Sequence, residues 1–160
     1  DVCSSDLANT IRYNKPMDEP EDKGNRDREI YVHPLHEEHS FNLPFWRDNK
    51  KLWALEVPVE DMKVDELLWI LDVPFWEDDQ GNIVLTPNEV LQSLDQYPEH
   101  RDLLEKCDTS YPLDIMKNPK GEWGILDGLH RFAKLIQEGK TVVRVRKIPP
   151  ELIHLTARED

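Results

Sequence analysis

The stretch Trp123–Val145, WGILDGLHRFAKLIQEGKTVVRV, combines the patterns of a strand, a tight polar turn, a helix and a second strand. An apolar run ends at Asp127-Gly128, and apolar residues then recur at helical spacing until Gly139. The composition of Thr141–Val145 is typical of a strand. The first turn of a helix leaves backbone N–H groups unpaired and carries the positive end of the helix dipole. We therefore expect this turn to bind an anion and to be the functional centre of the chain.

The composition of the sequence limits the classes of protein to which the chain can belong. The 160 residues suffice for one domain with some additional sequence, with 38% hydrophobic and 33% charged residues. The net charge of −13 argues against a free-standing DNA-binding protein, which would present a basic face to phosphates. No apolar run approaches membrane-spanning length, and no signal segment opens the sequence. We expect a cytoplasmic protein that does not associate with membranes.

The N-terminal part of the chain is predicted to be an acidic, disordered tail. Residues 1–30 are charge-dense and contain too little apolar surface to offset the entropy of an ordered chain. An alternative is an acidic N-terminal arm that orders on contact with a protein partner. The opening residues, DVCSSDL, match the translation of a common sequencing-adapter end, so we hypothesise that residues 1–7 are an artefact.

A histidine-rich segment follows the tail. His33, His36 and His39 recur at every third position, and imidazole ligands would suit zinc. Pro34 should interrupt a regular helix through the first two histidines, and no His–Cys cluster elsewhere completes a set of four ligands. We therefore predict no metal site, and we expect residues 31–48 to be a loop whose aromatic side chains pack on the domain.

Residues 49–150 are predicted to form the folded domain, and residues 151–160 a short C-terminal tail. Apolar periodicity, capping residues and turn residues define its elements. The predicted helices are Asn49–Leu55, Asp65–Asp72, one that starts at Thr86-Pro87-Asn88-Glu89, Pro98–Lys106, and one after Gly128. Asp65 is predicted to cap the second of these helices, and a capping box to start the third. The predicted strands are Pro58–Val64, which should be an edge strand, Tyr111–Met116, Glu122–Leu126 and Thr141–Ile148.

From about Leu52 to Ile148 the sequence resembles the ParB-like domain of the ParB/sulfiredoxin superfamily. Three pieces carry the resemblance: PVEDMKVDELLWILDVPFW, SYPLDIMKNPKGEWGILDGLHRFAKL and EGKTVVRVRKI. It is strongest to stand-alone bacterial and phage proteins described as ParB-like nuclease or chromosome-partitioning domains. The resemblance implies an α+β fold, with a small mixed sheet and packed helices.

The same resemblance implies a nucleotide site at the Asp-Gly-x-His-Arg turn. In the superfamily this turn holds nucleotide phosphates, of CTP in partition proteins and of ATP in sulfiredoxin. The implied cofactor is therefore ATP or CTP with Mg²⁺, and the implied activities are nucleotide binding, NTP hydrolysis or phosphotransfer. Independently of the resemblance, arginine offers a fork of donors to phosphate, and aspartate can hold Mg²⁺ through water or accept a proton. The candidate nucleotide contacts are Gly128, Leu129, His130, Arg131 and Lys134, and the candidate catalytic residues are Asp127 and His130.

Departures from the family pattern limit what is carried over. Leu129 stands where sulfiredoxin needs a cysteine, which excludes that activity. Leu129, His130 and Ala133 replace the Glu and two of the Arg residues of the partition motif Gly-Glu-Arg-Arg-x-Arg. About ten residues follow the last strand, so we expect no helix-turn-helix and no sequence-specific DNA binding. The alternative functions are a non-catalytic protein-interaction module and, third, a ParB-like nuclease; the alternative for the turn itself is a capped helix start.

Overall fold

The computed structural model describes residues 30–159, which form an α+β fold. Apart from Ile30, the predicted tail over residues 1–30 lies outside these residues, as does the hypothesis about residues 1–7. Within the described range, no helix has the length and apolar character needed to cross a membrane. The helices are α1 Pro34–His39, α2 Asn49–Trp53, α3 Pro87–Gln92, α4 Pro98–Lys106 and α5 Leu129–Gln137; the strands are β1 Val59–Lys63, β2 Trp76–Glu77, β3 Ile83–Leu85, β4 Leu113–Lys117, β5 Trp123–Asp127 and β6 Val142–Lys147.

A four-stranded mixed sheet in the order β1-β6-β4-β5 places the turn after β5 at one edge. Strands β4 and β6 are parallel, while β1 pairs with β6 and β4 with β5 in antiparallel fashion. Helix α5 connects the edge strand β5 to β6 and covers one face of the sheet. Phe132 of α5 is fully buried in this layer. The strand residues in the same cluster are Met62, Leu113, Ile115, Val143 and Val145.

The other side of α5 packs against a second cluster, formed with α3, α4 and the small β2–β3 sheet. Ala133 of α5 meets Trp76, Val90 and Leu104 there, and all four residues are buried. Helix α5 is therefore sandwiched between two apolar layers, which explains why most of its first two turns is inaccessible to solvent. This packing fixes the direction of the side chains at the turn.

The C-terminal segment is not a tail, in contrast to the prediction for residues 151–160. Pro150–Thr156 form a 3₁₀ helix that packs with α2 over the second face of the large sheet. Ile153 joins a cluster with Leu52 and Ile148, and Thr156 is fully buried. Pro150–Thr156 thus adds apolar side chains, among them Ile153, to the cluster that α2 forms with the sheet.

The segment predicted as a loop over residues 31–48 contains helix α1. Pro34 starts this helix instead of breaking it, because the first helical position needs no N–H donor and suits the fixed φ of proline. The Nδ1 atom of His33 accepts a hydrogen bond from the N–H of Leu35 at 3.1 Å and so caps the helix. His36 is buried, with its ring centroid 5.2 Å from that of Phe75.

Most of the elements that are predicted from adjacent residues are present in the structure. The capping box at the start of α3 is present, with Glu89 N–H donating to Thr86 Oγ1 at 3.1 Å and Thr86 N–H donating to Glu89 Oε1 at 2.9 Å. Helix α4 has the predicted bounds, Pro98–Lys106. The predicted helix Asp65–Asp72 is instead two 3₁₀ turns, and Asp65 is not their cap, because the first turn begins one residue earlier at Val64.

Candidate functional site

The turn between β5 and α5 is built around Gly128. This residue is the N-cap of α5, with a φ of 108° and a ψ of 22°. A Cβ atom on it would lie 2.7 Å from Nη1 of Arg131 and 2.9 Å from Cδ2 of Leu113. Both distances are shorter than Cβ contacts in real proteins, so the close packing of the turn requires glycine as much as the positive φ does.

Asp127, the last residue of β5, is tied into the structure on the α2 side of the turn. It is only 4% exposed, and its Oδ2 atom accepts a hydrogen bond from the indole N–H of Trp53 at 2.7 Å. Nearby, Nη2 of Arg47 donates to the carbonyl of Leu126 at 2.5 Å. Burial lowers the pKa of Arg47 to about 10, and the charge of Asp127 partly offsets this effect. Mg²⁺ needs an accessible oxygen with room for its water ligands, so the carboxylate of Asp127 does not fit that role.

Arg131 and Lys134 make their hydrogen bonds with the end of α4 and with the segment that connects α4 to β4. Arg131 is 2% exposed, and its Nη1 atom donates to the carbonyl of Pro112 at 3.0 Å. Nζ of Lys134 donates to the carbonyls of Cys107 and Glu105 at 3.0 and 3.2 Å, and so satisfies carbonyls at the end of α4. Both side chains therefore hold α5 against α4 and the residues that follow it.

His130 is fully buried in an aromatic stack. Its imidazole lies against the indole of Trp76, with 4.2 Å between centroids and an interplanar angle of 10°. Its Nε2 atom is 3.0 Å from Nδ1 of His100, which also stacks on Trp76, at 4.8 Å. Nε2 of His100 donates to the carbonyl of Glu77 at 2.7 Å, so in a neutral His100 the Nδ1 atom must accept a hydrogen bond from His130. The pair thus links α5, α4 and β2.

His100 is a residue of this site that the sequence analysis does not identify. The sequence does contain one indication that His100 is buried. It lies on α4 four residues before the buried Leu104, and therefore on the helix face that is turned inward. A lone histidine in this position gives no indication of its partner, because His130 is thirty residues away in sequence.

A cavity of about 890 Å³ adjoins the N-terminal end of α5. We call it the turn cavity, because Asp127, Gly128 and Leu129 form part of its wall. No side chain of the N-cap residue closes the helix end. Arg47 and Arg158 also line the cavity, and the guanidinium of Arg158 makes no hydrogen bond or ion pair with another described residue. Aromatic side chains complete the wall, among them Phe41, Phe75 and Trp76.

A second cavity, of about 380 Å³, lies on the other side of Asp127 and is lined by Arg131. Its main feature is a buried ion pair in which Nε of Arg146 donates to Oδ1 of Asp114 at 2.6 Å. The remaining guanidinium nitrogens of Arg146 donate to the carbonyls of Leu55 and Leu52 at 2.6 and 2.9 Å. Burial raises the pKa of Asp114, an effect that Arg146 only partly offsets. This cluster connects α2 to the sheet and is a structural element.

The structure brings only some of the predicted residues to the turn cavity. Asp127, Gly128 and Leu129 line it, whereas the side chains of His130, Arg131 and Lys134 do not. The sequence gives no indication of Arg47 and Arg158, which become neighbours through the backbone pairing of Arg47 with Ala157. In the part of the chain that the structure describes, no group of three or more His, Cys, Asp or Glu residues is arranged to hold a metal ion.

The chain matches no protein-family model, no curated protein and no solved structure. The resemblance to ParB-like domains therefore stays an expectation from the sequence, and the inference of function rests on the geometry of the turn cavity.

Proposed function

We propose that the protein binds a nucleoside triphosphate, ATP or CTP, in the turn cavity, with its phosphates at the N-terminal end of α5. The observation that carries the proposal is the uncapped end of a nine-residue helix at the wall of a cavity that also contains Arg158. The likeness of the Asp-Gly-x-His-Arg turn to ParB-like domains favours a nucleotide over other anions.

The phosphate end of the ligand is the better defined part of the proposal. Backbone N–H groups in the first turn of α5 and the helix dipole both favour negative charge. Gly128 has no side chain that would keep a phosphate away from the backbone. Arg158 has donors that no described residue uses, so it can bind a phosphate oxygen without breaking an existing contact. These local features would offset the repulsion from a chain with a net charge of −13.

The size and composition of the cavity fit the rest of a nucleotide. Small-molecule sites have volumes of roughly 300 to 1,000 Å³, and the turn cavity has about 890 Å³. The aromatic rings of Phe41 and Phe75 offer apolar surface for a base and a sugar. Among the residues that the structure describes, Asp127 and Glu77 are the carboxylates in the wall.

His130, Arg131 and Lys134 take positioning roles in this proposal. Their hydrogen bonds hold the first two turns of α5 against α4 and the segment that follows it. A change in any of these residues would alter binding through the direction of the helix end. The catalytic roles predicted for Asp127 and His130 stay predictions, and the proposal concerns binding.

Thermal unfolding with ATP, CTP or inorganic triphosphate, each with and without Mg²⁺, tests the proposal. A ligand at one hundred times its Kd stabilises the native state by about 2.7 kcal/mol. For a domain of this size, we expect an increase in Tm of roughly 5 to 10 °C. No increase with any of the three compounds at millimolar concentration would refute the proposal and leave the protein-interaction module.

Two arginine variants provide the residue-level test. Arg158→Ala should reduce the increase in Tm with all three compounds, because it removes a phosphate donor from the cavity wall. Arg101→Ala is the matched control, because Arg101 is a partly exposed arginine on α4 that pairs with Asp95 at 2.9 Å and does not line the cavity. Equal increases in both variants would contradict the assignment of the phosphates to this end of the cavity.

A further inference from the structure

His39, the last residue of α1, has one ring nitrogen that the protein holds and one that it does not. Its Nδ1 atom lies 2.8 Å from Oε1 of Glu122, which also accepts a hydrogen bond from Nδ2 of Asn118 at 3.0 Å. Nε2 of His39 makes no hydrogen bond with another described residue, and it is not buried. The side chain as a whole is 17% exposed. A ligand that touches this side chain can therefore reach Nε2.

The proton of the neutral imidazole is fixed on Nδ1. Partial burial raises the pKa of Glu122, but the hydrogen bonds from Asn118 and His39 more than offset this effect and hold the pKa below its usual value. Glu122 is therefore a carboxylate, which can only accept, so Nδ1 of His39 must donate. With Nδ1 protonated, Nε2 of the neutral imidazole can only accept. The accessible nitrogen of His39 is thus a hydrogen-bond acceptor.

His39 belongs to the wall of the turn cavity, whereas the residues that cover its Nδ1 side and its ring face do not. Glu122 lies outside the cavity wall, as does Trp69, whose ring centroid is 5.1 Å from that of His39. The two nitrogens of an imidazole point in nearly opposite directions. The edge of the ring that is turned away from Glu122, and so can face the cavity, is therefore the edge that carries Nε2.

His39 lies at the end of the cavity that is opposite the proposed phosphate site. Glu122 directly precedes β5, Gly128 directly follows it, and residues 124–128 line the cavity. A strand rises about 3.3 Å per residue, which places Glu122 and Gly128 roughly 20 Å apart. This separation is similar to the length of an extended nucleoside triphosphate. A nucleotide with its phosphates at Gly128 would therefore have its base near His39.

We infer that His39 is a specificity-determining residue whose Nε2 atom accepts a hydrogen bond from the exocyclic amino group of the bound base. This inference rests on the proposed nucleotide site. Phe75, which offers apolar surface for a base, lies at the same end of the cavity, since its ring and that of His39 both contact Trp69. Adenine and cytosine carry an amino group on the edge that forms base pairs, so both ATP and CTP can donate to this acceptor.

Isothermal titration calorimetry of the unsubstituted protein tests the inference, in a mildly alkaline buffer that keeps imidazole groups neutral. ATP is compared with purine riboside triphosphate, and CTP with the triphosphate of 2-pyrimidinone riboside. Each analogue has a hydrogen atom in place of the amino group. For whichever of ATP and CTP binds, we expect the analogue to bind about three- to tenfold more weakly, the usual effect of one hydrogen bond.

A variant of His39 provides the residue-level test. His39→Phe keeps an aromatic ring against Trp69 but has no acceptor, so the nucleotide and its analogue should bind with equal affinity. The affinity for inorganic triphosphate, which has no base, should not change. His33→Asn is the matched control, because His33 caps the same helix and does not line the cavity, and asparagine can also cap a helix. The difference between nucleotide and analogue should be retained in this control.

A second variant keeps the inference testable if His39→Phe does not fold. In Glu122→Gln, the new side chain can donate as well as accept, so it no longer fixes the proton of His39 on Nδ1. Nε2 is then protonated in part of the molecules, where it cannot accept. We expect the difference in affinity between the nucleotide and its analogue to become smaller than in the unsubstituted protein.

The possible failures can be distinguished. Failure of the proposed function would appear as no binding of ATP, CTP or inorganic triphosphate to the unsubstituted protein. If a nucleotide and its analogue bind equally well, the inference about His39 is wrong and the nucleotide site is retained. An undiminished difference in folded His39→Phe, or in Glu122→Gln where His39→Phe does not fold, would also overturn the inference.

Discussion

Replacement of Gly128 by alanine should destabilise the protein by about 3 kcal/mol. Two effects contribute to this figure. A residue with a side chain at a φ of 108° is strained by about 1 to 2 kcal/mol. The new Cβ would also lie 2.7 Å from Arg131 Nη1 and 2.9 Å from Leu113 Cδ2, and overpacking of this kind costs about 1 to 3 kcal/mol. Neither neighbour can move easily, because Leu113 is fully buried and Arg131 is bound to a carbonyl.

Gly121→Ala is the matched control for this prediction. Gly121 also has a positive φ, of 80°, but a Cβ atom on it would have no other heavy atom within 4 Å. Its replacement should therefore show the backbone strain alone. Urea denaturation of both variants gives the two free energies of unfolding, and thermal unfolding should show a Tm about 6 to 12 °C lower for Gly128→Ala than for the unsubstituted protein. If Gly128→Ala loses no more stability than Gly121→Ala, the close packing of the turn has been misjudged.

Two further predictions concern buried ionisable groups. Arg146→Ala should lower the free energy of unfolding by about 3 to 5 kcal/mol in urea denaturation, because it leaves Asp114 buried without its partner at 2.6 Å; a loss below about 1 kcal/mol would contradict this account. Burial lowers the pKa of His36 from 6.5 to about 4. Between these two pH values the unfolded chain therefore binds more protons than the folded protein does. The free energy of unfolding should fall as the pH decreases from 6.5 to 4. The loss attributable to this histidine is about 3 kcal/mol, and it should be absent in His36→Gln; parallel pH profiles of the two proteins would show that His36 is not responsible.

The elements that the sequence predicts well are those encoded by adjacent residues. The capping box at Thr86 and the proline at the start of α4 act over three or four residues, and both helices begin where these signals lie. The sequence does not predict α1, because a proline such as Pro34 breaks a helix when it lies inside it but favours a helix when it occupies the first position. The sequence does not predict the packing of Pro150–Thr156 either, because its partners on α2 and the sheet are distant in sequence.

In the candidate site, too, the features that depend on adjacent residues can be predicted from the sequence, and those that depend on packing cannot. The turn at Asp127-Gly128 and the start of α5 follow from local composition, and the structure contains both. The direction of His130 and Arg131 could not be predicted, because it depends on which layers cover the two sides of α5. His130 faces His100 on α4, and Arg131 faces the carbonyl of Pro112. Only the packed arrangement of these elements reveals that the side chains support the turn.

The pairing of the segment around Arg47 with the C-terminal segment has a consequence for how the protein matures. Asp48 N–H donates to the carbonyl of Thr156 at 2.7 Å, and Arg158 N–H donates to that of Trp46 at the same distance. These contacts join residues about 110 positions apart, so they form late during synthesis from the N-terminus. A nascent chain that has completed its sheet and α5 still lacks one wall of the turn cavity. If the proposed nucleotide binds in the turn cavity, its binding should therefore require that the segment around Arg158 has already docked against the segment around Arg47.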